Sequence, residues 1–339
     1  MKYLRKVSSH LSMAAAVTVC ALNIGVAAAK VPAVITWAVP PEGASGYLMV
    51  TGFSGTVTKH TPVRKIVLQN FAGVAGWPTR MQRGELNFAI HCGFKTMSDA
   101  WQGKGIFEKI GRMKNIRNVA TGYGLAYGYH FSDAKIKSVG DMKGKSLFLQ
   151  VRHHDQVTAA TVMLADFGLI YDKDVKIIPV RSPREAIQGI LTGRGDGMAY
   201  GAVPGLAQVK QAKSGFHTVS IPMKTLNKIS AAEPVWGATT LKAGSNPLKP
   251  AKDVSTLELG CGISAGTATS ADTVYQVIKA VYDHHDDWKS VHPIAKRWSI
   301  KKAVQTTVQP FHDGAIRYYK EKGVWTAALE AKQKALLAE

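Results

Sequence analysis

Met81-Gln82-Arg83-Gly84-Glu85-Leu86-Asn87-Phe88-Ala89 and Leu191-Thr192-Gly193-Arg194-Gly195-Asp196-Gly197-Met198-Ala199 share one shape: a helix end, a glycine, an acidic residue and an apolar strand. The copies stand too far apart to be turns of a solenoid, whose repeats run to about 20–50 residues, and so imply two similar lobes. Upstream of the first copy, Val34 to Val39 reads as a strand ended by Pro40-Pro41, and Gly43-Ala44-Ser45-Gly46 leads into a helix from about Tyr47 to His60. Ile66 to Gln69 is the next strand, Gly73 to Gly76 a loop, and Leu86 to Ile90 alternates as a strand again.

Around the second copy the plan repeats. Ser146 to Val151 is a strand, and a helix from about Gln156 to Phe167 ends at Gly168. Val175 to Val180 is a strand. Ser182 as N-cap, Pro183 at the first helical position and Glu185 three residues after the cap then predict a capping box, with Ala186, Ile187, Ile190 and Leu191 on one face. A strand returns near Leu257 to Ile263, and Ser270 caps a helix carrying Val274, Val277, Ile278 and Val281 on one side. Strands alternating with helices imply an α/β fold of two lobes, each a mostly parallel sheet flanked by helices.

Lys2, Arg5 and Lys6, an apolar run from Leu11 to Leu22 and Ala27-Ala28-Ala29 have the three-part layout of a cleavable secretory signal, residues 1–29. The run is too short to span a bilayer, so a soluble, exported chain is expected, placed in the periplasm after cleavage near Ala29. The signal holds three basic and no acidic residues, so the mature balance is 40 basic (43 − 3) against 23 acidic, or +17. Such a field concentrates anions. The basic residues are scattered rather than clustered with stacking aromatics, which argues against nucleic acid. Cys92 and Cys261 remain after cleavage; two thiols are no disulfide framework, and whether they pair is left open.

In open α/β sheets ligands sit beyond the carboxyl ends of strands, where helix N-termini offer N–H groups and a favourable dipole to an anion. By position the expected ligand-binding residues are Glu42, Gly43, Ser45 and Tyr47 in the first loop, Gly73, Gly76 and Trp77 in the second, and His91 after a strand. Arg152, His153 and His154 follow in the second lobe, with Tyr200 after its last strand. Arg152 is the first choice, because its planar fork can hold a carboxylate with two parallel hydrogen bonds. Ser45 offers a hydroxyl, and Trp77 a rigid aromatic wall. His284-His285-Asp286-Asp287 are consecutive and spread around a helix axis, so no metal site is expected there. His91 and Cys92 point to opposite faces of a strand, and no Ser-His-Asp order, phosphate loop, HExxH or dinucleotide fingerprint appears. No catalytic residue and no cofactor are expected, and the chain does not read as an enzyme.

Several segments resemble the TAXI family, the solute receptors of tripartite ATP-independent periplasmic (TRAP) transporters. They are the Met81–Ala89 stretch, Ile136 to Lys145, Phe167-Gly168-Leu169, Gly195-Asp196-Gly197, Ala243-Gly244, His292-Pro293 and Pro310 to Gly323, the last being the most specific. The resemblance implies a two-lobed periplasmic binding protein of type II-like fold with the ligand in the cleft. The chain would cross between lobes twice, with residues 30–128 and 238–339 in one lobe and 129–237 in the other. It implies a receptor that closes around a small anionic solute, an amino acid or other carboxylate, and delivers it to membrane permease subunits driven by an ion gradient; a monomer suits such a freely diffusing receptor. A receptor for an ATP-driven importer, a sensor partner and a secreted polyanion binder are the alternatives.

Overall fold

The computed structural model describes residues 31–213, 215–305 and 308–339; the expected export signal lies outside them. In chain order the strands are β1 (Val34–Val39), β2 (Lys65–Asn70), β3 (Phe88–His91), β4 (Ile116–Phe131), β5 (Ser146–Leu149), β6 (Lys176–Pro179), β7 (Gly197–Gly201), β8 (His217–Thr218), β9 (Trp236–Leu241) and β10 (Val254–Gly266). The α-helices are α1 (Ser45–His60), α2 (Trp77–Gln82), α3 (Phe94–Gln102), α4 (His154–Ala165), α5 (Pro183–Leu191), α6 (Leu206–Ala212), α7 (Met223–Ala232), α8 (Ala271–Asp283), α9 (Ile300–Ala303), α10 (Asp313–Glu321) and α11 (Ala327–Ala338).

The strands join in the order β2-β1-β3-β10-β4-β7-β5-β6, with β8 added to β4 and β9 to β10. At one end β1 is parallel to β2 and β3, and at the other β5 is parallel to β6 and β7. Those two parallel sets are the sheets of two lobes. Between them run the long β10, antiparallel to β3, and the long β4, antiparallel to β10 and to β7. The paired register of β4 and β10 shifts between Cys261 and Gly262 and again between Ile263 and Ser264; such irregularities bend a strand and raise its twist. The whole assembly is therefore a mixed α/β sheet flanked by helices.

The internal resemblance has a structural counterpart, although not the one read from the acidic residues. Gly84 and Gly193 end their helices with φ of 76° and 74°, a conformation that costs glycine nothing. Three residues later Asn87 and Asp196 make matching clasps. Asn87 Oδ1 accepts the backbone N–H of Thr36 on β1 at 2.8 Å, and Asp196 Oδ2 accepts that of Ser146 on β5 at 2.8 Å. Each hydroxyl accepts in return from the clasping residue's own N–H, at 3.0 and 3.1 Å. Asn87, not Glu85, is thus the partner of Asp196; Glu85 stands outside, paired with Arg80 and Arg83. The expected capping box on α5 is also half present. Ser182 Oγ accepts from Glu185 N at 3.3 Å, but the Glu185 carboxylate takes the N–H of Arg181 instead of that of the cap.

Packing follows the two lobes only in part. Tyr127, Tyr129, Leu147, Ala159, Met163 and Leu226 belong to one cluster, while Ala38, Met81, Ala89, Met97 and Ala100 form another that seats α2 and α3 against the first lobe. The largest cluster, with Trp37, Phe53, Trp288 and Trp298, extends through Tyr123 to Phe148 and Tyr200 across the middle. No helix among the described residues is long and apolar enough to cross a membrane.

Candidate ligand-binding site

A cavity lies where the parallel strands of both lobes end. Val39, Pro40 and Pro41 follow β1, Phe71 to Val74 follow β2, and Ile90 to Cys92 end β3; from the other lobe come Gln150, His153 and Gln156 after β5, and Tyr200 and Val203 at β7. Tyr123 and Leu125 of β4 also line it. Its free space is about 50 Å³ for the centre of a water molecule, which suits a compact molecule.

Six of the expected residues line it: Ser45, Gly73, Trp77, His91, His153 and Tyr200. Their roles differ from expectation. Ala44 rather than Ser45 is the N-cap of α1 and contributes no side-chain bond. The Ser45 hydroxyl is engaged by the Tyr123 hydroxyl at 2.6 Å. His91 uses both ring nitrogens, accepting from Gly93 N at 3.3 Å and meeting Ser264 Oγ at 3.0 Å. It stacks on Trp77 with ring centroids 5.4 Å apart. Burial drives its pKa down to about 3, and that of His153 down to about 4, so both imidazoles are neutral near pH 7. Burial likewise pushes the Tyr123 hydroxyl up to about 12 and that of Tyr200 higher than usual.

The other six do not enter the cavity. Glu42 and Gly43 are exposed, and Tyr47 packs half-buried against the core. Gly76, Arg152 and His154 line a wider groove outside it, shared with Gly73. Arg152, the expected carboxylate anchor, is exposed. Its backbone is what matters: a Cβ on Gly73 would stand 1.9 Å from the Arg152 carbonyl oxygen, so the two lobes meet there main chain to main chain and the guanidinium is left on the outside. His154 Nε2 instead meets Asp99 Oδ2 of α3 at 3.3 Å.

Sequence reasoning missed Gln150 and Gln156. Both are polar and almost fully buried, and their place just after a strand and in the first turn of a helix was the available signal. It also missed Asp155, which is buried at the N-terminus of α4 and accepts the N–H groups of Lys95 and Thr96 at the start of α3, together with the Thr96 hydroxyl. The carboxyl thus caps a helix of the opposite lobe. Its pKa is nevertheless raised, because burial outweighs those hydrogen bonds. Cys92 and Cys261 form a disulfide. The antiparallel register pairs His91 with Gly262 and so sets the next residue of β3's chain directly opposite Cys261.

His60 joins His284 and Asp287 at the surface, with one ligand atom from each within 4.8 Å of the others. The two imidazoles stack face to face at 3.4 Å and 5°, which keeps their lone pairs from converging on one point, and Asp287 pairs with Lys59 at 3.3 Å. Stacking and ion pairing account for this cluster.

With this geometry in view, the NMT1-like family model matches residues 45–323. The chain belongs to the NMT1-like family. Among solved structures it is similar to a protein from Bordetella bronchiseptica RB50, at 16% identity and a TM-score of 0.52 over 91% of this chain and 89% of that one. A periplasmic transporter matches at 14% identity and 0.52 over 89% and 95%. The alkanesulfonate-binding protein SsuA from Xanthomonas axonopodis pv. citri, bound to MOPS, aligns at 13% identity over 91% and 96% with a TM-score of 0.47. For the first two, at TM-scores of 0.52, the likeness is one of fold.

Proposed function

We propose that this NMT1-like chain is a periplasmic solute receptor that closes its lobes around a small molecule and passes it to a membrane permease. The observation that carries this reading is the cavity itself, walled by Ser45 and Trp77 from one side of the central strands and by His153, Gln156 and Tyr200 from the other. A ligand touching both walls favours the closed form over the open one, and that differential affinity is what drives hinge closure. In this reading residues 1–29 are an export signal removed near Ala29. Residues 30–128 with 238–339 form one lobe and 129–237 the other. The protein works as a monomer and as a binder rather than an enzyme.

The solute is a small anion. No cationic side chain lines the cavity, so the head of the ligand rests on N–H groups. Ser45 and Gly46, the first two residues of α1, line it, and N–H groups at these positions have no partner within the helix; those of Ala44 and Tyr47 are taken by Pro41 O and Ala44 O. The surplus of basic residues, outside the cavity, raises the local concentration of anions. The resemblance of Pro310 to Gly323 and the other quoted segments supports a TAXI receptor serving a TRAP permease.

Isothermal titration of the mature protein with small carboxylates tests the receptor, and uptake by cells carrying the partner permease tests the delivery. Uptake that collapses with an ionophore supports the TRAP assignment. Uptake that survives the ionophore and stops on ATP depletion assigns the receptor to an ATP-driven importer. Salt-sensitive retention on polyanions without saturable small-molecule binding would sink the receptor reading.

A further inference from the structure

Three polar atoms of the cavity residues are buried and have no partner among the described residues: Trp77 Nε1, His153 Nδ1 and Gln156 Oε1. The residues are 2%, 9% and 1% exposed. A buried polar group left unpaired is costly, so a bound molecule that satisfies these atoms gains what water would otherwise provide. The indole N–H can only donate and the amide oxygen can only accept. Of the Gln156 amide it is the oxygen, Oε1, that is buried without a partner, so the open position there is an acceptor. The ligand therefore carries both an acceptor and a donor.

Charge narrows the class further. The cavity lining contains no Lys, Arg, Asp or Glu, and both of its histidines are neutral near pH 7. One negative head can rest on the N–H groups of Ser45 and Gly46 at the start of α1, a helix of 16 residues, and on the Trp77 indole, because charge-assisted hydrogen bonds are the stronger kind. A second carboxylate would find no further counter-charge, and an ammonium group would find no carboxylate at all; an unpaired charge taken out of water is heavily penalised.

We propose that the cavity selects a compact monocarboxylate bearing a hydroxyl group, whose O–H donates to Gln156 Oε1, and rejects zwitterionic amino acids and dicarboxylates. This rests on the receptor reading above. It makes Gln156 the residue that sets specificity, with Trp77 as donor to the head.

The experiment is calorimetric titration of the mature protein with matched sets: lactate, propionate and alanine; 2-hydroxyisovalerate, isovalerate and valine; malate and succinate. In at least one of the first two sets the hydroxy acid is expected to bind tenfold or more tighter than its deoxy and amino counterparts, with neither dicarboxylate binding. Gln156→Leu should reduce the hydroxy preference below threefold. Gln156→Glu, close in shape, should abolish binding of all the monocarboxylates while circular dichroism stays native. Tightest binding of an amino acid or a dicarboxylate, or a hydroxy preference that survives Gln156→Leu, overturns this inference and leaves the receptor standing. Absence of saturable binding by any of the eight overturns the inference; if a wider solute panel also fails, the receptor reading falls with it.

Discussion

The carboxylate of Asp155 accepts the backbone N–H of Thr96 at 2.9 Å, so that a side chain at the start of α4 caps α3 across the cleft. Lys95 N adds a second bond at 3.0 Å. They sit beside the His154–Asp99 pair at 3.3 Å and the Lys95–Glu233 pair at 3.6 Å. In the proposed receptor they would act together as a clasp that favours closure independently of the ligand.

Asp155→Ala should therefore weaken closure more than folding. Hydrogen bonds to a charged group are worth about 1.5–3 kcal/mol, which corresponds to a fall in ligand affinity of roughly tenfold to a hundredfold. Small-angle scattering should show a larger radius of gyration for the variant without ligand. Unchanged scattering and affinity would remove Asp155 from the closing mechanism.

Gly73→Ala separates closure from folding. The new methyl would stand 1.9 Å from the Arg152 carbonyl oxygen, a backbone atom that cannot swing aside, so the two segments must move apart by about 1 Å or more to restore a van der Waals contact. We expect native circular dichroism and a melting temperature near that of the wild type, with ligand binding reduced at least tenfold. Wild-type affinity would mean that closure does not bring these two segments into contact.

Acidification should destabilise the protein before the carboxylates titrate. Burial lowers His91 to about 3, and His130 and His153 to about 4. An imidazole whose folded pKa is depressed contributes stability that is fully present above its unfolded value of about 6.5 and is lost as pH falls toward the folded value. Each of the three opposes protonation by about 1.4 kcal/mol per pH unit within its window. Thermal melts should therefore fall steeply between about pH 6 and pH 4, and His130→Gln should flatten the slope. A pH-independent melting temperature over that range would contradict the burial of these rings.

The Cys92–Cys261 disulfide closes a loop of 169 residues in sequence separation and ties β3 to a long central strand. Its removal by Cys261→Ser or by reductant should cost about 2–4 kcal/mol, read as a lower denaturation midpoint. Thiol titration of the unfolded chain lacking residues 1–29 should find no free sulfhydryl until reductant is added.

Much of the fold was legible because strands and helices write their own periods. Val34–Val39, the α5 face of Ala186, Ile187 and Ile190, and the glycines that end helices at Gly84 and Gly193 depend on near neighbours alone. The central strand β4 was not legible. Its burial is almost unbroken over 16 residues, with a neighbour on each side, so it lacks the polar alternation that marks a half-exposed strand. The site divides in the same way. Loops after strands pointed to Ser45, Gly73, Trp77, His153 and Tyr200, whereas residue type alone favoured Arg152 and passed over Gln156.

By itself the sequence determined the local elements, the duplicated plan of two lobes and the strand ends around which the cavity lies, since each rests on short-range periodicity and on the chemistry of turns. Only the tertiary structure decided that Asn87 matches Asp196, that Cys92 faces Cys261, that Asp155 caps α3, and that the Arg152 side chain stays outside while its carbonyl meets Gly73. Those outcomes depend on sheet register and on how two lobes meet, which are set by contacts between residues dozens to more than a hundred positions apart and leave no periodic trace along the chain.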